Sequence, residues 1–225
     1  MVSSAVCSEY CRRVDLFIGK GIFLKLIYGT TNEAKLIFMK KRLEPLGIEI
    51  LGLGDVGAPQ RKIVESGRSP LENARIKALA YYHELKLPLF SCDSGLYIDN
   101  LPDHRQPGVN IRGDNDHMDD EETIAFYAAL AAEFGGKMTA RYQNAICLVL
   151  DDQQVYEYMG EDIASERFYL VTNPHPQRRK GFPLDSISIH IASGLYYYDR
   201  TADSDKYIPT DDGFAAFFQR VLRLK

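Results

Sequence analysis

Hydrophobic positions in the first quarter of the chain change from the period of a strand to the period of a helix. The apolar run at 22–28 predicts a core strand. The next apolar positions share the spacing of one helix face, and these are Leu36, Met39, Leu43 and Leu46. Thr30 with Glu33 matches a capping box, and Gly47 marks the expected helix end. The stretch GTTNEAK at 29–35 is therefore predicted to join a strand to a helix.

The stretch SPLENARIKALAYYHELK at 69–86 predicts a second helix. It begins with an N-cap serine, a proline at the first helical position and a glutamate three residues after the cap. Lys77 lies within this helix, which is expected to end before Pro88. A strand, a small acidic turn at Asp93-Ser94-Gly95 and a second strand are predicted to follow.

The rest of the chain is predicted to be mainly β with two helices. Asp119 with Glu122 indicates a helix start, and Gly135-Gly136 indicates its end. A β pattern runs from 138 to 171 and resumes after the loop NPHPQRRKGFPLD. A last helix carries an apolar face, formed by Phe214, Phe217, Phe218, Val221 and Leu222. Because helices are missing between the later strands, we predict a mixed α/β sheet with helices packed on it.

Composition narrows the class of protein. The chain has 225 residues, of which 45% are hydrophobic and 26% charged, and this fits one soluble α/β domain with a sizeable core. The net charge of −4 gives no general basic field, so we expect no nucleic-acid partner. The four cysteines lack metal-site spacing and are interpreted as reduced thiols, which predicts a cytoplasmic protein.

The N-terminal segment resembles a signal peptide only superficially. The apolar stretch 14–28 is interrupted by Asp15, Lys20 and Lys25, and no small-residue cleavage site follows it. It is also too short and too charged to span a bilayer. We therefore expect an extension at 1–20, one domain at 21–225, and no membrane association.

The turn GTTNEAK is a candidate phosphate site. A helix N-terminus presents free N–H groups and partial positive charge, and Lys35 adds a full charge. The alternative is that these small polar residues only cap the helix. The spacing of a Walker loop is absent.

Asp93 is a candidate metal ligand. A carboxylate at the carboxyl end of a buried strand lies where ligands bind in open α/β sheets. With a second carboxylate such as Glu65 it could hold Mg²⁺, which prefers oxygen ligands and keeps substrate phosphates in its shell. The alternative is an Asx-turn, in which Asp93 accepts a hydrogen bond from the backbone of Gly95.

Further residues admit both a binding and a structural interpretation. Lys77 and Arg112 could bind an anion or be solvated surface charges, and the same holds for the basic run 178–180. Phe182 could stack on a base or begin a core strand. The five histidines form no zinc-binding pattern.

In series, these segments resemble the inosine triphosphate pyrophosphatase family, which hydrolyses non-canonical purine nucleoside triphosphates. That family opens with T-G-N-x-x-K, and residues 30–35 read TTNEAK. Its E-x-G-x-[TS]-x-x-E-N-A-x-x-K-A motif is similar to ESGRSPLENARIKA at 65–78. Its D-S-G-L turn corresponds to 93–96, its L-x-G-x-P-G-x-x-[SA]-x-R segment to LPDHRQPGVNIR, and its G-F-G-Y-D to GFPLD at 181–185. The resemblance runs from about residue 22 to the C-terminus.

The resemblance implies a long curved mixed sheet in two lobes, with the nucleotide in the cleft between them, and a homodimer. It implies Mg²⁺ as the cofactor, and water attack that releases pyrophosphate and a nucleoside monophosphate. Asp93 would be the proton acceptor and, with Glu65, a metal ligand. The residues implied to bind substrate are Thr30, Thr31, Asn32, Lys35, Lys77, Ser94, Arg112, Phe182, Asp185 and Lys206. Among these, Phe182 and Asp185 would line the base, while Ser94, Lys77 and Arg112 would touch the triphosphate or ribose.

The chain departs from the family pattern at several positions. Thr31 replaces a glycine, Cys92 replaces an acidic residue, and Pro183-Leu184 replaces Gly-Tyr. The S-H-R motif that reads the purine 6-oxo group has no counterpart, because the aligned stretch is DKYIPTDDGF. Its two aspartates at 211–212 either read an exocyclic amino group or cap the last helix.

The expected function is therefore Mg²⁺-dependent pyrophosphate release from nucleoside triphosphates, with an altered base preference. The alternatives are a nucleotide-binding protein with little catalysis and a structural α/β domain.

Overall fold

The computed structural model describes residues 24–58, 63–113, 117–200 and 212–224. The expected extension at 1–20, Lys206 and Asp211 lie outside these ranges. Within them, the strands are β1 (Leu24–Tyr28), β2 (Ile48–Gly52), β3 (Leu89–Ile98), β4 (Lys137–Val149), β5 (Val155–Tyr158), β6 (Phe168–Val171) and β7 (Ser188–His190). The α-helices are α1 (Glu33–Leu43), α2 (Pro70–Leu85), α3 (Asp120–Glu133) and α4 (Gly213–Leu222).

The seven strands of the described residues form one mixed sheet, which confirms the predicted fold class. The strand order is β2-β1-β3-β4-β6-β7, and β5 pairs with β4 beside this path. The strand β1 is parallel to both β2 and β3, whereas the later strands pair antiparallel. This arrangement follows from the connections, because a parallel pair needs a crossover helix and antiparallel strands need only a turn.

Two long strands carry both halves of this sheet. The first residues of β3 pair with β1, its whole length pairs with β4, and β4 in turn pairs with β6 near its start and with β5 near its end. At one end the sheet is covered by α1 and α4 on one face and by α2 on the other. At the other end it is covered by α3 and by the 3₁₀ helix Pro183–Ile187. The hydrophobic core is accordingly divided into clusters at the two ends of β3 and β4.

Local signals correctly locate the starts of α2 and α3. Ser69 caps α2 by accepting a hydrogen bond from the Glu72 backbone, and Asp119 with Glu122 forms the predicted capping box of α3. The prediction for α1 is wrong by two residues. Asn32 is its N-cap and accepts from the Lys35 backbone N–H, while the Thr30 hydroxyl accepts from the Asn32 N–H. An Asx cap of this kind competes directly with a Thr cap, and here it forms.

The predicted turn at Asp93-Ser94-Gly95 does not exist. These residues lie in the middle of β3 and pair in register with Ala145, Asn144 and Gln143 of β4. Since both strands continue past them, the Asx-turn interpretation is also wrong. The β region predicted after the loop NPHPQRRKGFPLD is mostly irregular, because a 3₁₀ helix at Pro183–Ile187 occupies its start and only β7 forms a strand. Phe182 precedes this 3₁₀ helix and begins no strand.

Asp212 caps the last helix. One carboxylate oxygen accepts from the Phe214 N–H at 3.0 Å, and the other forms an ion pair with Arg42 at the end of α1. The Asp212 side chain is 10% exposed and that of Arg42 is 19% exposed. Of the two interpretations for the aspartates at 211–212, the structure supports the cap for Asp212. None of the described helices is long and apolar enough to cross a membrane.

Asp212→Ala should lower the free energy of unfolding by about 3 kcal/mol, the lower end of the range for removing one partner of a buried ion pair. Asp212→Asn keeps a cap acceptor and should cost less. Urea denaturation measures both. The matched control is Asp152→Ala, which removes an exposed pair with Lys86 and should cost less than about 1 kcal/mol. A loss for Asp212→Ala no larger than that of the control would contradict the structural role.

Candidate active site

The candidate site lies where the two halves of the core meet. Phe90 and Cys92 belong to the cluster around α1 and α4, Leu89 packs towards α2, and Leu96 belongs to the cluster around α3. Asp93 stands between these apolar positions and is only 8% exposed. Because side chains alternate along a strand, Asp93 projects from the same face as Leu89, towards α2. A carboxylate at this depth requires a partner.

Lys77 of α2 is that partner, and it also contacts Glu65. Its Nζ donates to Asp93 Oδ1 at 2.8 Å and to Glu65 Oε2 at 3.1 Å. The Lys77 and Asp93 side chains are 13% and 12% exposed, and that of Glu65 is 31% exposed. Burial opposes the charged ammonium, but the attraction of Asp93 and Glu65 and the hydrogen bonds to them outweigh it, so the pKa of Lys77 is raised. Two carboxylates therefore converge on one cation.

The loop that carries Glu65 is held against the start of α2. The Gly67 N–H donates to Asn73 Oδ1 at 2.8 Å, and the Arg68 N–H donates to Glu72 Oε2 at 2.6 Å. A Cβ atom on Gly67 would lie 2.9 Å from the Asn73 backbone nitrogen, so only glycine allows this close approach. These contacts fix the segment two residues after Glu65.

The turn after β1 is hydrogen-bonded to the residues of β3 that precede Asp93. The Gly29 N–H donates to the Phe90 carbonyl at 2.8 Å, and the Ser91 hydroxyl donates to the Gly29 carbonyl at 3.0 Å. Thr30 and Asn32 order the turn through the cap contacts of α1, and Thr31 is exposed. The turn that leads into α1 is thus tied to β3 two residues before Asp93.

Cys92 is buried and uncharged. Burial raises its pKa to about 12, although the hydrogen bond with Tyr28 and the charges of Lys35 and Lys77 act in the opposite direction. At neutral pH its thiol therefore remains protonated. Cys92 therefore supplies no third anionic metal ligand beside Glu65 and Asp93.

Ser94 projects from the opposite face of the sheet. Its hydroxyl donates to Asn144 Oδ1 at 2.7 Å, and the Asn144 amide donates to the Ile163 carbonyl at 2.7 Å. Ser94 is therefore engaged in a contact that ties β3 to β4 and to the segment before β6.

Three further predicted residues, Arg112, Phe182 and Asp185, line a cavity of about 240 Å³. Its walls are formed by Val109, Ile111, Arg112, Tyr142, Gly181, Phe182, Pro183, Leu184 and Asp185. The structure thus brings Arg112 together with the two residues expected at the base, Phe182 and Asp185. The guanidinium of Arg179 lies 4.2 Å from the centre of the Phe182 ring, while Arg178 pairs with Glu121.

Asp120 fixes two walls of this cavity. One of its oxygens pairs with Arg112, and the other accepts from the Gly181 N–H at 2.9 Å. These hydrogen bonds, led by that of Gly181, lower the pKa of Asp120. Arg112 also donates to the Met118 carbonyl at 3.1 Å.

Sequence reasoning missed Asp120, Asn144 and Tyr142. Asp120 looked like one of several acidic residues in the first turn of α3, and its partners at 112 and 181 are joined to it only by the fold. Tyr142 faces the cavity from β4, and burial raises its pKa well above the usual value. The alternation of β4 could have identified Tyr142 as inward-facing, but not which residues it faces.

The acidic pair fits a hard divalent cation. It already surrounds one cation, the Lys77 ammonium, with carboxylate oxygens at hydrogen-bonding distance. Among the described residues no group of three or more metal-ligating side chains occurs. Two carboxylates with an incomplete shell match Mg²⁺, which uses one or two carboxylates together with substrate phosphates.

Fold and site together define an α/β protein whose mixed sheet carries an acidic residue in its central strand, paired through a lysine with a second acidic residue in a loop. The Ham1 family model matches residues 26–182, which is more than half of the chain. The chain belongs to the Ham1 family.

Individual relatives agree with this assignment. A dITP/XTP pyrophosphatase of Rhodopseudomonas palustris is 35% identical over 138 residues, which are 59% of this chain and 64% of that relative. One of Aquifex aeolicus is 40% identical over 88 residues, 38% of this chain and 40% of that relative. The chain thus matches less than two thirds of the length of these relatives.

Solved structures share the fold. A HAM1 protein from Coxiella burnetii superposes with a TM-score of 0.65 at 22% identity, covering 88% of this chain and 96% of that one. A nucleoside-triphosphatase / dITP/XTP pyrophosphatase from Mycobacterium abscessus gives a TM-score of 0.61 at 25% identity, covering 86% and 97%.

The burial of Asp185 predicts a pH-dependent stability effect. Burial raises the pKa of Asp185, and the charge of Arg179 offsets this only in part. A carboxyl whose pKa is higher in the folded state stabilises the fold at low pH, and that contribution is lost as the pH rises through the folded-state value. Asp185→Asn should therefore raise the urea midpoint at pH 7, and the gain should vanish as the pH falls below about 3.9. The exposed Asp103→Asn is the control, and a midpoint for Asp185→Asn that is unchanged or lower at pH 7 would contradict the expectation.

Proposed function

We propose that this protein hydrolyses non-canonical purine nucleoside triphosphates to nucleoside monophosphate and pyrophosphate, with Mg²⁺ as the cofactor. The observation that carries the proposal is the convergence of Glu65 and Asp93 on Lys77, in a strand that is hydrogen-bonded through Ser91 to Gly29 at the start of the strand-to-helix turn. The names of the relatives, dITP/XTP pyrophosphatases, support the same reaction.

Glu65 and Asp93 would hold the metal. When bound, Mg²⁺ neutralises charge on the phosphates and so favours attack on them. The carboxylates supply the hard oxygen ligands that this ion prefers, and the burial of Asp93 strengthens its electrostatic interactions.

The chain's own residues would position the triphosphate and move the proton. Thr30, Thr31 and Asn32 would contact phosphate oxygens at the positively polarised N-terminus of α1, and Lys35 adds a full positive charge. The N–H groups of Thr30 and Asn32 donate within the turn, so the contacts of these two residues would be made by their side chains. Asp93 would orient the attacking water and accept its proton. Lys77 and Ser94 complete the expected contacts, although Ser94 would have to exchange its bond with Asn144.

The cavity at 109–112 and 181–185 would take the base. Phe182 offers an aromatic face, Asp185 an acceptor when ionised, and Arg112 a donor held in place by Asp120. Lys206 is retained in the proposal as a further substrate contact on the strength of the sequence resemblance alone.

Cys92 keeps the second interpretation open. A neutral thiol stands where the family pattern has an acidic residue, so the charge of the site is reduced by one. A nucleotide-binding protein with little catalysis would share every other feature. The rate of pyrophosphate release distinguishes a pyrophosphatase from a protein that only binds the nucleotide.

Asp93→Asn should reduce the rate of pyrophosphate release at least ~10²-fold, because the amide keeps the shape but cannot accept the proton. Glu65→Gln is the comparison, and it should mainly raise the Mg²⁺ concentration needed for half-maximal rate. Steady-state assays with ITP, together with circular dichroism as a check of folding, measure both. Near-normal turnover by Asp93→Asn would remove its role as the proton acceptor.

Base selectivity should be broad. The donors that would read a 6-oxo group are missing from the aligned sequence, and the carboxylate of Asp212 is occupied by Arg42 and the backbone of α4. We expect kcat/KM for ITP, XTP, dITP and ATP to fall within ~10²-fold of one another. A larger preference for ITP would show that another group reads the oxygen. Asp212→Asn should leave the ITP to ATP ratio unchanged.

We also propose, from the sequence, that the protein is a cytoplasmic homodimer that acts on a nucleotide and binds no nucleic acid.

A further inference from the structure

The contact between Lys77 and the two carboxylates has a consequence for metal binding. We propose that Lys77 acts as an internal cation that keeps a divalent metal off Glu65 and Asp93 until a phosphate group draws it away. This inference rests on the proposed function, because the phosphate in question is the triphosphate of the substrate.

The hydrogen bonds show why metal and ammonium compete. Lys77 Nζ donates to Asp93 Oδ1 at 2.8 Å and to Glu65 Oε2 at 3.1 Å, so it occupies one oxygen of each carboxylate. Mg²⁺ binds carboxylate oxygens at about 2.0–2.1 Å and requires near-octahedral geometry. An ion bound to both of these oxygens would take the position that the ammonium holds, so the two cations compete for it.

Burial makes this competition strong. The side chains of Lys77 and Asp93 are 13% and 12% exposed, so little water is available to screen a dication from an ammonium. Without another anion nearby, displacement of Lys77 would leave its charge without a partner in a mostly buried position.

A triphosphate provides the missing anion. Lys77 lies on α2 and reaches the site through a flexible four-carbon stem, so its ammonium can turn from the carboxylates to phosphate oxygens without movement of the helix. The carboxylates are then free for the metal that accompanies the nucleotide. Conversely, a metal-free triphosphate would be repelled by Asp93 and Glu65. Metal and nucleotide each favour the other, and this coupling is reciprocal by linkage.

Calorimetric titration with Mg²⁺ alone, in the absence of nucleotide, tests the proposal. Lys77→Met removes the ammonium while keeping most of the side-chain length, and it should tighten Mg²⁺ binding by ~10-fold or more, within the usual range for coupled sites. Lys77→Arg keeps the positive charge and should bind Mg²⁺ as weakly as the wild type. The matched control is Lys86→Met, an equal charge change at an exposed ion pair, which should leave the affinity unchanged.

Each result decides the matter. Unchanged or weaker Mg²⁺ binding by Lys77→Met, or an equal gain by Lys86→Met, would overturn the proposal. If Lys77→Met is unfolded without metal, folding on addition of Mg²⁺ supports the proposal, since the metal then replaces the missing cation. Failure to fold at saturating Mg²⁺ counts against it.

The titration is independent of turnover. If the wild type releases no pyrophosphate but Lys77→Met binds Mg²⁺ more tightly, the proposed function fails while the competition stands. If the wild type releases pyrophosphate but binds Mg²⁺ as tightly as Lys77→Met does, the proposed competition is wrong while the proposed function stands.

Discussion

The antiparallel pairing of β3 with β4 is the constraint on which the rest of the structure depends. It runs from Leu89 opposite Val149 to Ile98 opposite Ala140, and every other strand of the described sheet is attached to one of these two or to a neighbour of theirs. Because side chains alternate along a strand, this register decides at once which residues meet α2 and which meet α1 and α4. The position of Asp93 opposite Ala145 follows from it, and so does the contact with Lys77.

A buried carboxylate in the centre of such a strand is expensive for folding unless its charge is matched. Here the matching charge comes from Lys77, which lies 16 residues earlier in the helix that packs on the same face and which also pairs with Glu65 of the preceding loop. The apolar clusters on both sides of Asp93 keep water out, so the site and the core are built by the same strand. The stability of the fold and the geometry of the candidate site therefore both depend on the hydrogen bonds between β3 and β4.

The sequence predicted the elements whose signals are local. The starts of α2 and α3 are defined by residues within one turn, and the mixed sheet followed from the missing helices between later strands. The continuous strand through Asp93-Ser94-Gly95 could not be predicted in this way, since an acidic residue, a serine and a glycine in series are typical of turns. What keeps them extended is β4, some fifty residues further along. The cavity walls have the same origin, because the link from Asp120 to Arg112 and Gly181 joins segments that carry no common local pattern.

This link through Asp120 also bears on how the chain can diverge. The Asp120 carboxylate binds two groups from different loops, the guanidinium of Arg112 and the backbone N–H of Gly181. A change at any one of these three positions therefore alters the contacts of the other two. Loss of Arg112 would leave the Asp120 carboxylate without its cation behind the cavity wall, and a displaced segment at 181 would remove the second hydrogen bond of that carboxylate. In related sequences, positions 112, 120 and 181 are thus expected to change together. Because Phe182 follows position 181 directly, such changes would also move the aromatic wall of the cavity.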